Sequence, residues 1–547
     1  MERAKRNQST GCYDGRPRSR WVRGTQTVHR LPALYLAWIL IAAAFLVSAS
    51  ADRCLAVGGV LVVTTEDEAT GQPIASRLEL YRSDGKPQVV RQIVSAGRGI
   101  ALSESIELAL PDGAYQFRLS RGPEYRIING NFTLERTSQD TKTVKLPRMV
   151  EMKREGWLSC DMAVPPQTND LRLRMMAEDL HFAAVIGDDV GPTMPTAIPK
   201  NLAPYKPLWT ISGITTSNDK DILFYPPDAN PVRLTMLQGE TTSQMVQRVA
   251  QDEATRIAIA NPFAWSLPVW LASGEIDGIH VLGEWLREDK SVEKIIDGRP
   301  PQSIGFDGPR GPGRYAESIY WNLLEAGFRI APLAGTGVTK GQTTKSPIGY
   351  NRLYVTGNQV GEDQSSRDPL RAPEDILSAA WRGQSVVTNG PMLRPLLGGF
   401  PPGHVFQSSV GDELLLDMEL NLSVRDEVEY LEMIHNSRVF HSARLDEFAA
   451  AGGKLPTMKV GASGWVMVRV VTHHEDHFRM ATSAPWYIEF DAAPRISREA
   501  VKFFSTWLVE CESRLKQLPT DELNKHVPFV TAARRFWSDR LSNASVD

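Results

Sequence analysis

Polar and apolar positions alternate with a period of two over short runs near residues 57–64, 75–81, 105–110, 114–119 and 131–134. That period puts one face of each run against a core, as in half-buried strands. Turn chemistry falls between the runs, at Asp84-Gly85, Pro111-Asp112-Gly113 and Gly122-Pro123. The pattern predicts a β-sandwich over 52–149. From about 150 the texture changes. Helical periodicity at 171–181, 242–256, 315–326 and 373–381 is followed each time by a short apolar run, at 182–186, 257–260, 329–333 and 385–388, with a further run at 276–282. Helix and strand taking turns predict a largely parallel sheet or β/α barrel over 150–398. Strand patterns return at 414–422, 428–435, 465–472 and 486–490, predicting a second sandwich over 399–493. A helical tail over 494–547 follows, with helices at 497–518 and 527–541.

The N-terminus follows another logic. Residues 1–30 carry eight Lys/Arg against Glu2 and Asp14, then 31–47 are apolar and uncharged, and Ser48-Ala49-Ser50-Ala51 closes the stretch. Basic region, apolar core and an Ala-x-Ala exit are the parts of a secretory signal peptide. The apolar run is also close to the length of a membrane span, so residues 1–51 read either as a cleaved signal or as an N-terminal anchor. Both place the rest of the chain outside the cytoplasm, periplasmic, secreted or membrane-tethered.

Composition narrows the partners. Among 547 residues, 42% are apolar and 23% charged, the balance of a globular protein of several domains. The formal charge is −3; without residues 1–51, 53 basic and 62 acidic residues remain, a net −9. An acidic exported chain offers no field for nucleic acid. Of Cys12, Cys54, Cys160 and Cys511, three lie beyond residue 51, an odd number that argues against a full set of internal disulfides.

Several stretches carry a resemblance. TGQPI at 70–74 with RLEL at 77–80 is similar to the start of a prealbumin-like or carboxypeptidase-regulatory sandwich. The string EGWLSCDMAVPPQTNDLRLRMMAEDLHFAAVI at 155–186 resembles the exported branch of the PHP-type (polymerase and histidinol phosphatase) metallohydrolases, the CehA/McbA-like proteins abundant in planctomycetes. PVWLASGEIDGI (268–279), SPIGYNRLYV (346–355), VVTNGPMLRP (386–395), GHVF (403–406), and GWVMVRVV with ATSAPWYIEF (464–490) extend it in order over roughly 155–515. The resemblance implies a PHP-like distorted (β/α)7 barrel flanked by β-sandwich domains, with two or three divalent metals held by an opening Asp-x-His-x-His and by further strand-end ligands.

The metal signature itself is missing. Its opening positions read Asp161-Met162-Ala163-Val164-Pro165, and the ten histidines include no His-x-His pair. Gly187-Asp188-Asp189 stands where the resemblance implies Thr-Asp-His, Asn261-Pro262 where it implies His-Pro, and Gly335-Thr336-Gly337 where it implies Asp-x-His. Six residues remain as candidate metal ligands: Asp161, Asp188, Asp189, Glu240, His280 and Glu284. Such a carboxylate-rich set would suit one divalent cation, Mg or Ca before Zn. The bland alternatives are a loop-capping role for Asp188 and Asp189, a strand-end tie for Asp161 and a core position for His280. Asn351 and Arg352 are candidate binding residues, the guanidinium suiting an anion. His473, His474 and His477 read as a solvated loop, and the tryptophans at 157, 209, 265, 270, 285 and 321 as core or as a stacking surface for sugars. No pairing of nucleophile and base is visible.

Two functions stay open at this level. One is an exported PHP-barrel relative with an eroded metal centre that binds or scaffolds, its ligand unknown, with a carbohydrate or cell-envelope component as one class. The other is a metal-dependent hydrolase of phosphoesters, esters or amides with a rebuilt site.

Overall fold

The computed structural model describes residues 58–547 apart from 91–92, 167–169, 188–208, 216–219, 228–235, 291, 293–297, 340–344 and 358–371. The described residues belong to one compact unit, Val57–Asp547. Asp188 and Asp189, the whole N-terminal stretch with Cys12 and Cys54, and the side chain of Trp209 lie outside them.

The first module is built of two sheets. Gly58–Asp67 lies between Ser105–Pro111, antiparallel, and Gln139–Leu146, parallel. The second sheet runs Ser95–Ala96, Gly99–Leu102, Ser76–Arg82, Gly113–Ser120, Ile128–Leu134. Alternate residues of Gly58–Asp67 are buried, and Leu61 and Val63 meet Leu78, Leu80, Leu108 and Leu119 in one core. Ser76–Arg82 departs from this pattern. Its first five residues are all buried, because the face opposite the module's core is covered by the rest of the molecule.

Beyond residue 150 the chain forms a mixed α/β structure around a 15-stranded sheet. Trp157–Val164, Phe182–Gly187 and Trp209–Thr215 are parallel neighbours, as are Arg256–Ile259, Gly278–Leu282 and Ala331–Ala334. Between the two triplets Ile222–Tyr225 pairs antiparallel on both sides. The largely parallel sheet predicted from the helix–strand alternation is therefore mixed. Six residues join Thr215 to Ile222, and so short a link reverses the chain where a parallel crossover needs a dozen or more residues. On the other side of Trp157–Val164, Arg352–Thr356 and Ser385–Thr388 are antiparallel, and the sheet continues without a break into Arg479–Ser483, Gly464–Thr472, Val428–His435 and Arg438–Ala443. The sheet also curves. The Gly337 N–H donates to the Ala163 carbonyl at 2.8 Å, so the end of Ala331–Ala334 comes back against the end of Trp157–Val164. Gly335 makes this approach possible, since a Cβ there would stand 2.6 Å from that of Ala163.

The chain ends in Arg498–Leu515 and Thr520–Ser542. Val501, Phe504, Trp507, Leu508, Cys511, Val530, Ala533 and Trp537 are buried in the same core as the strands of the curved sheet, so these helices are part of its cover rather than a tail. The second begins seven residues before the predicted start and runs through Pro528. The proline is on the exposed side, where the carbonyl it leaves unbonded, that of exposed Asn524, meets water. Among the described residues no helix is long and apolar enough to cross a membrane; the apolar run 31–47 lies outside them.

Candidate functional site

Asp161 is fully buried near the end of Trp157–Val164. Its Oδ1 accepts the N–H of Ala163 and of Thr336, both at 3.0 Å; its Oδ2 accepts the Thr336 hydroxyl at 2.5 Å and the Gly349 N–H at 2.7 Å. Burial pushes this carboxyl up to about 6, against the pull of the Thr336 hydroxyl and the backbone donors. Asp161 thus ties together a strand end, the Gly335-Thr336-Gly337 turn and the turn preceding Arg352. With four donors on two oxygens, this position does not fit a divalent ion.

The other candidates disperse. Glu284 reaches the same turn from the far side of Gly337, its Oε2 accepting the Thr339 hydroxyl at 2.7 Å. His280 is buried in Gly278–Leu282 with Nε2 unpartnered, and burial pushes it down to about 3, a neutral core imidazole. Glu240 lies ahead of Thr242–Val249, clamped by Arg248 at 2.8 and 2.9 Å; against partial burial, those bonds hold its carboxyl below the usual range. Asn261, where the resemblance implied a histidine, donates to Asp221 at 2.9 Å and caps its own turn. Among the described residues, no three His, Cys, Asp or Glu side chains gather as a metal cluster. Cys160 is buried and its thiol is pushed far up by burial, which leaves it unreactive.

The two binding candidates separate as well. Asn351 donates to the carbonyls of Gly283 and Leu286 at 2.8 and 2.9 Å, a fully buried tie. Arg352 does line a small cleft. One wall comes from the first module (Arg77, Arg118, Ser120, Gly122), a second from Glu178, Glu288, Gly349 and Arg352, a third from Asn389, Arg425 and Arg479.

Charge in the cleft is unevenly paired. Arg77 is held by Glu79, Glu178 and Glu288 at 2.8, 2.7 and 2.5 Å, and Arg479 by Asp426 at 2.8 Å. Arg352 instead donates to two carbonyls, Gly349 at 2.5 Å and Glu178 at 3.1 Å. Arg425 likewise donates to the carbonyls of Gly122 and Tyr125, at 3.1 and 3.3 Å, and burial pushes its guanidinium down to about 10. Gly122 sits between these arginines with φ +54°, and a Cβ there would be 2.3 Å from the Glu178 carbonyl and 3.3 Å from Arg352 Nη1. Only glycine fits such a turn.

The sequence reading found Arg352 and missed Arg77, Arg118, Ser120, Arg425 and Arg479. The one available signal was the Arg77-Leu78-Glu79-Leu80 alternation, which sets two opposite charges on the face away from the module's core. The histidine loop is also not wholly solvated: His477 is buried and stacks on His474 at 3.9 Å. Of the tryptophans singled out, 157, 270 and 285 are core.

No family model matches the sequence, and neither does any curated protein. Among solved structures, the Bacillus anthracis TIE protein is 20% identical over 21% of each chain, with a TM-score of 0.15. A Parabacteroides merdae β-glucuronidase is 10% identical, covering 77% of this chain and 62% of its own, TM-score 0.17. Bacteroides uniformis β-glucuronidase 3 is 10% identical, covering 79% and 63%, TM-score 0.17. The chain thus spans less than two thirds of each, and superpositions at these scores fall short of a shared fold.

Proposed function

We propose that this is an exported binding or scaffold protein, built on a PHP-like β/α framework whose metal-dependent hydrolytic chemistry has been given up. The observation that carries this reading is the environment of Asp161. In the hydrolases it resembles, that residue opens the metal motif; here its oxygens are filled by the Thr336 hydroxyl and three backbone N–H groups. Ala163 and Pro165 stand where the motif has histidines. The carboxylate holds the curved sheet closed, and the chain's capacity to bind is sought outside the strand ends, in the arginine-lined cleft. The basic stretch 1–30 and apolar run 31–47 supply the route of export or the anchor.

The test is elemental analysis of the purified full-length chain, prepared without added metal or chelator, combined with assays of phosphodiester, ester and amide hydrolysis. A folded chain without stoichiometric transition metal or magnesium, and without chelator-sensitive turnover, is the expected result. Turnover lost on chelation overturns the reading.

A further inference from the structure

The cleft between the first module and the rest of the molecule carries buried donors that the fold itself does not use. Arg352 is 1% exposed, and its Nη1 has no hydrogen-bond partner among the described residues. Ser120 is 3% exposed, and its hydroxyl is also unpartnered among them. Arg118 Nε is unpartnered too, its nearest carboxylate being that of Glu79 at 4.0 Å. Buried donors without acceptors cost free energy, and proteins keep them where something else supplies the acceptor.

The charge pattern says which acceptor. Arg77 and Arg479 are held by carboxylates within 2.8 Å, whereas Arg352 and Arg425 donate to main-chain carbonyls, with Tyr354 also beside Arg352. Among the described residues neither has a carboxylate within ion-pair distance, and Glu178, Asp179 and Asp426 act on them only from farther off. Both lie against the Gly122 turn, Arg425 on its carbonyl and Arg352 beside its Cα. Two such guanidiniums, a free hydroxyl and a small cleft are what a compact oxyanion requires: charge compensation and several N–H donors. A neutral ligand would leave both guanidiniums without a directly contacting anion, and a nucleic acid does not fit into so small a cleft on an acidic chain.

We propose that the cleft binds a small molecule through one oxyanion group, phosphate or carboxylate, held by Arg352, Arg425 and the Ser120 hydroxyl at the meeting point of three parts of the chain. This rests on the binding reading above and gives it a ligand class.

Isothermal titration of the full-length chain with inorganic phosphate and, separately, malonate, in chloride-matched buffer, tests it and tells the two anions apart. Saturable one-to-one binding of at least one of them is expected. Arg425→Gln should weaken it about tenfold or more, the usual worth of a charge-assisted bond. Because Arg425 also holds two backbone carbonyls, Ser120→Ala serves as a second variant that removes one donor and no structural tie; a severalfold loss is expected, with an unchanged circular dichroism spectrum. Absence of saturable binding of either anion to the folded chain overturns the proposal, as does wild-type binding by both variants. Run on the preparation used for metal analysis, the titration separates the two claims. Chelator-sensitive turnover with anion binding intact overturns the function and supports the cleft, whereas a metal-free chain that binds neither anion overturns the cleft alone.

Discussion

Asp161 and Thr336, 175 residues apart, share two hydrogen bonds in a dry interior, hydroxyl to Oδ2 at 2.5 Å and N–H to Oδ1 at 3.0 Å. They join the end of Trp157–Val164 to the turn that follows Ala331–Ala334, where the curved sheet meets itself. Thr336→Val keeps the shape and deletes the hydroxyl donor, leaving a buried carboxylate one bond short; a loss of about 2 kcal/mol is expected. Asp161→Asn should cost more, about 3 kcal/mol, because its amide NH2 would face the donors that now point at Oδ2. Urea unfolding of both variants checks this. A metal-ligand role for Asp161 would show the reverse: a change in metal content with stability nearly intact.

The turn at Gly122 underlies both the cleft and the junction. A methyl group there would meet the Glu178 carbonyl at 2.3 Å, in a backbone conformation with φ +54°. Gly122→Ala is expected to lose about 2–3 kcal/mol, part from strain at positive φ and part from displacing the carbonyl that Arg352 holds. The same variant should weaken anion binding. A stability within about 0.5 kcal/mol of wild type would mean that the first module docks more loosely than the distances imply.

These two sites show what a sequence can and cannot display. The alternation that buries Leu61 and Val63 was legible because a strand's own period decides it. The buried state of Arg77 and Glu79 was not, because it depends on what covers the outer face of Ser76–Arg82, and that cover comes from residues about 100 and 200 positions away, Glu178 and Glu288. The same reason hid the cleft, whose walls come from three distant stretches. Asp161 stood out as a retained motif residue, yet its partners Thr336 and Gly349 lie beyond any local pattern. His280 was legible as a core histidine by its apolar neighbours alone.

Acid should destabilise the fold progressively below about pH 6.5. Burial, chiefly, pushes His181 down to about 4 and His280 and His477 to about 3. Unfolded imidazoles titrate near 6.5, so as pH falls below that value the unfolded chain gains protons that the folded chain refuses, and stability drops. Two carboxyls act oppositely: burial, with the Asp179 charge, raises Glu124 to about 7, and burial raises Asp161 to about 6. Their contribution is complete below about pH 4 and is lost as pH rises through 6 to 7. Near pH 5 three imidazoles oppose two carboxyls, a net slope of about 1.4 kcal/mol per pH unit; toward pH 4 the carboxyls' opposition fades while His181 begins to take up its proton in the folded chain, so the slope stays at or below about 2 kcal/mol per unit. Urea melts at pH 4, 5, 6 and 7 measure this. His280→Leu should flatten the acid limb by about one proton, and an unchanged slope would mean that His280 is not held neutral.

The C-terminal helices give the sharpest test of how the fold is partitioned. Trp537 is 1% exposed, stacks on Phe504 at 5.1 Å with the ring planes 19° apart, and donates its indole N–H to the Pro268 carbonyl at 2.9 Å. One residue of Thr520–Ser542 therefore contacts both the preceding helix and Leu267–Leu271, beside the curved sheet. Trp537→Ala removes a large buried ring and leaves that carbonyl without its donor, for an expected loss of about 3–5 kcal/mol. Val527→Ala, on the exposed side of the same helix, should change stability by no more than about 0.5 kcal/mol. If the helices are an integral layer, the Trp537 variant lowers the single transition of the whole unit and its tryptophan fluorescence and circular dichroism melts still coincide. If they are an appendage, the sheet's transition stays where it was and only the helical signal melts early.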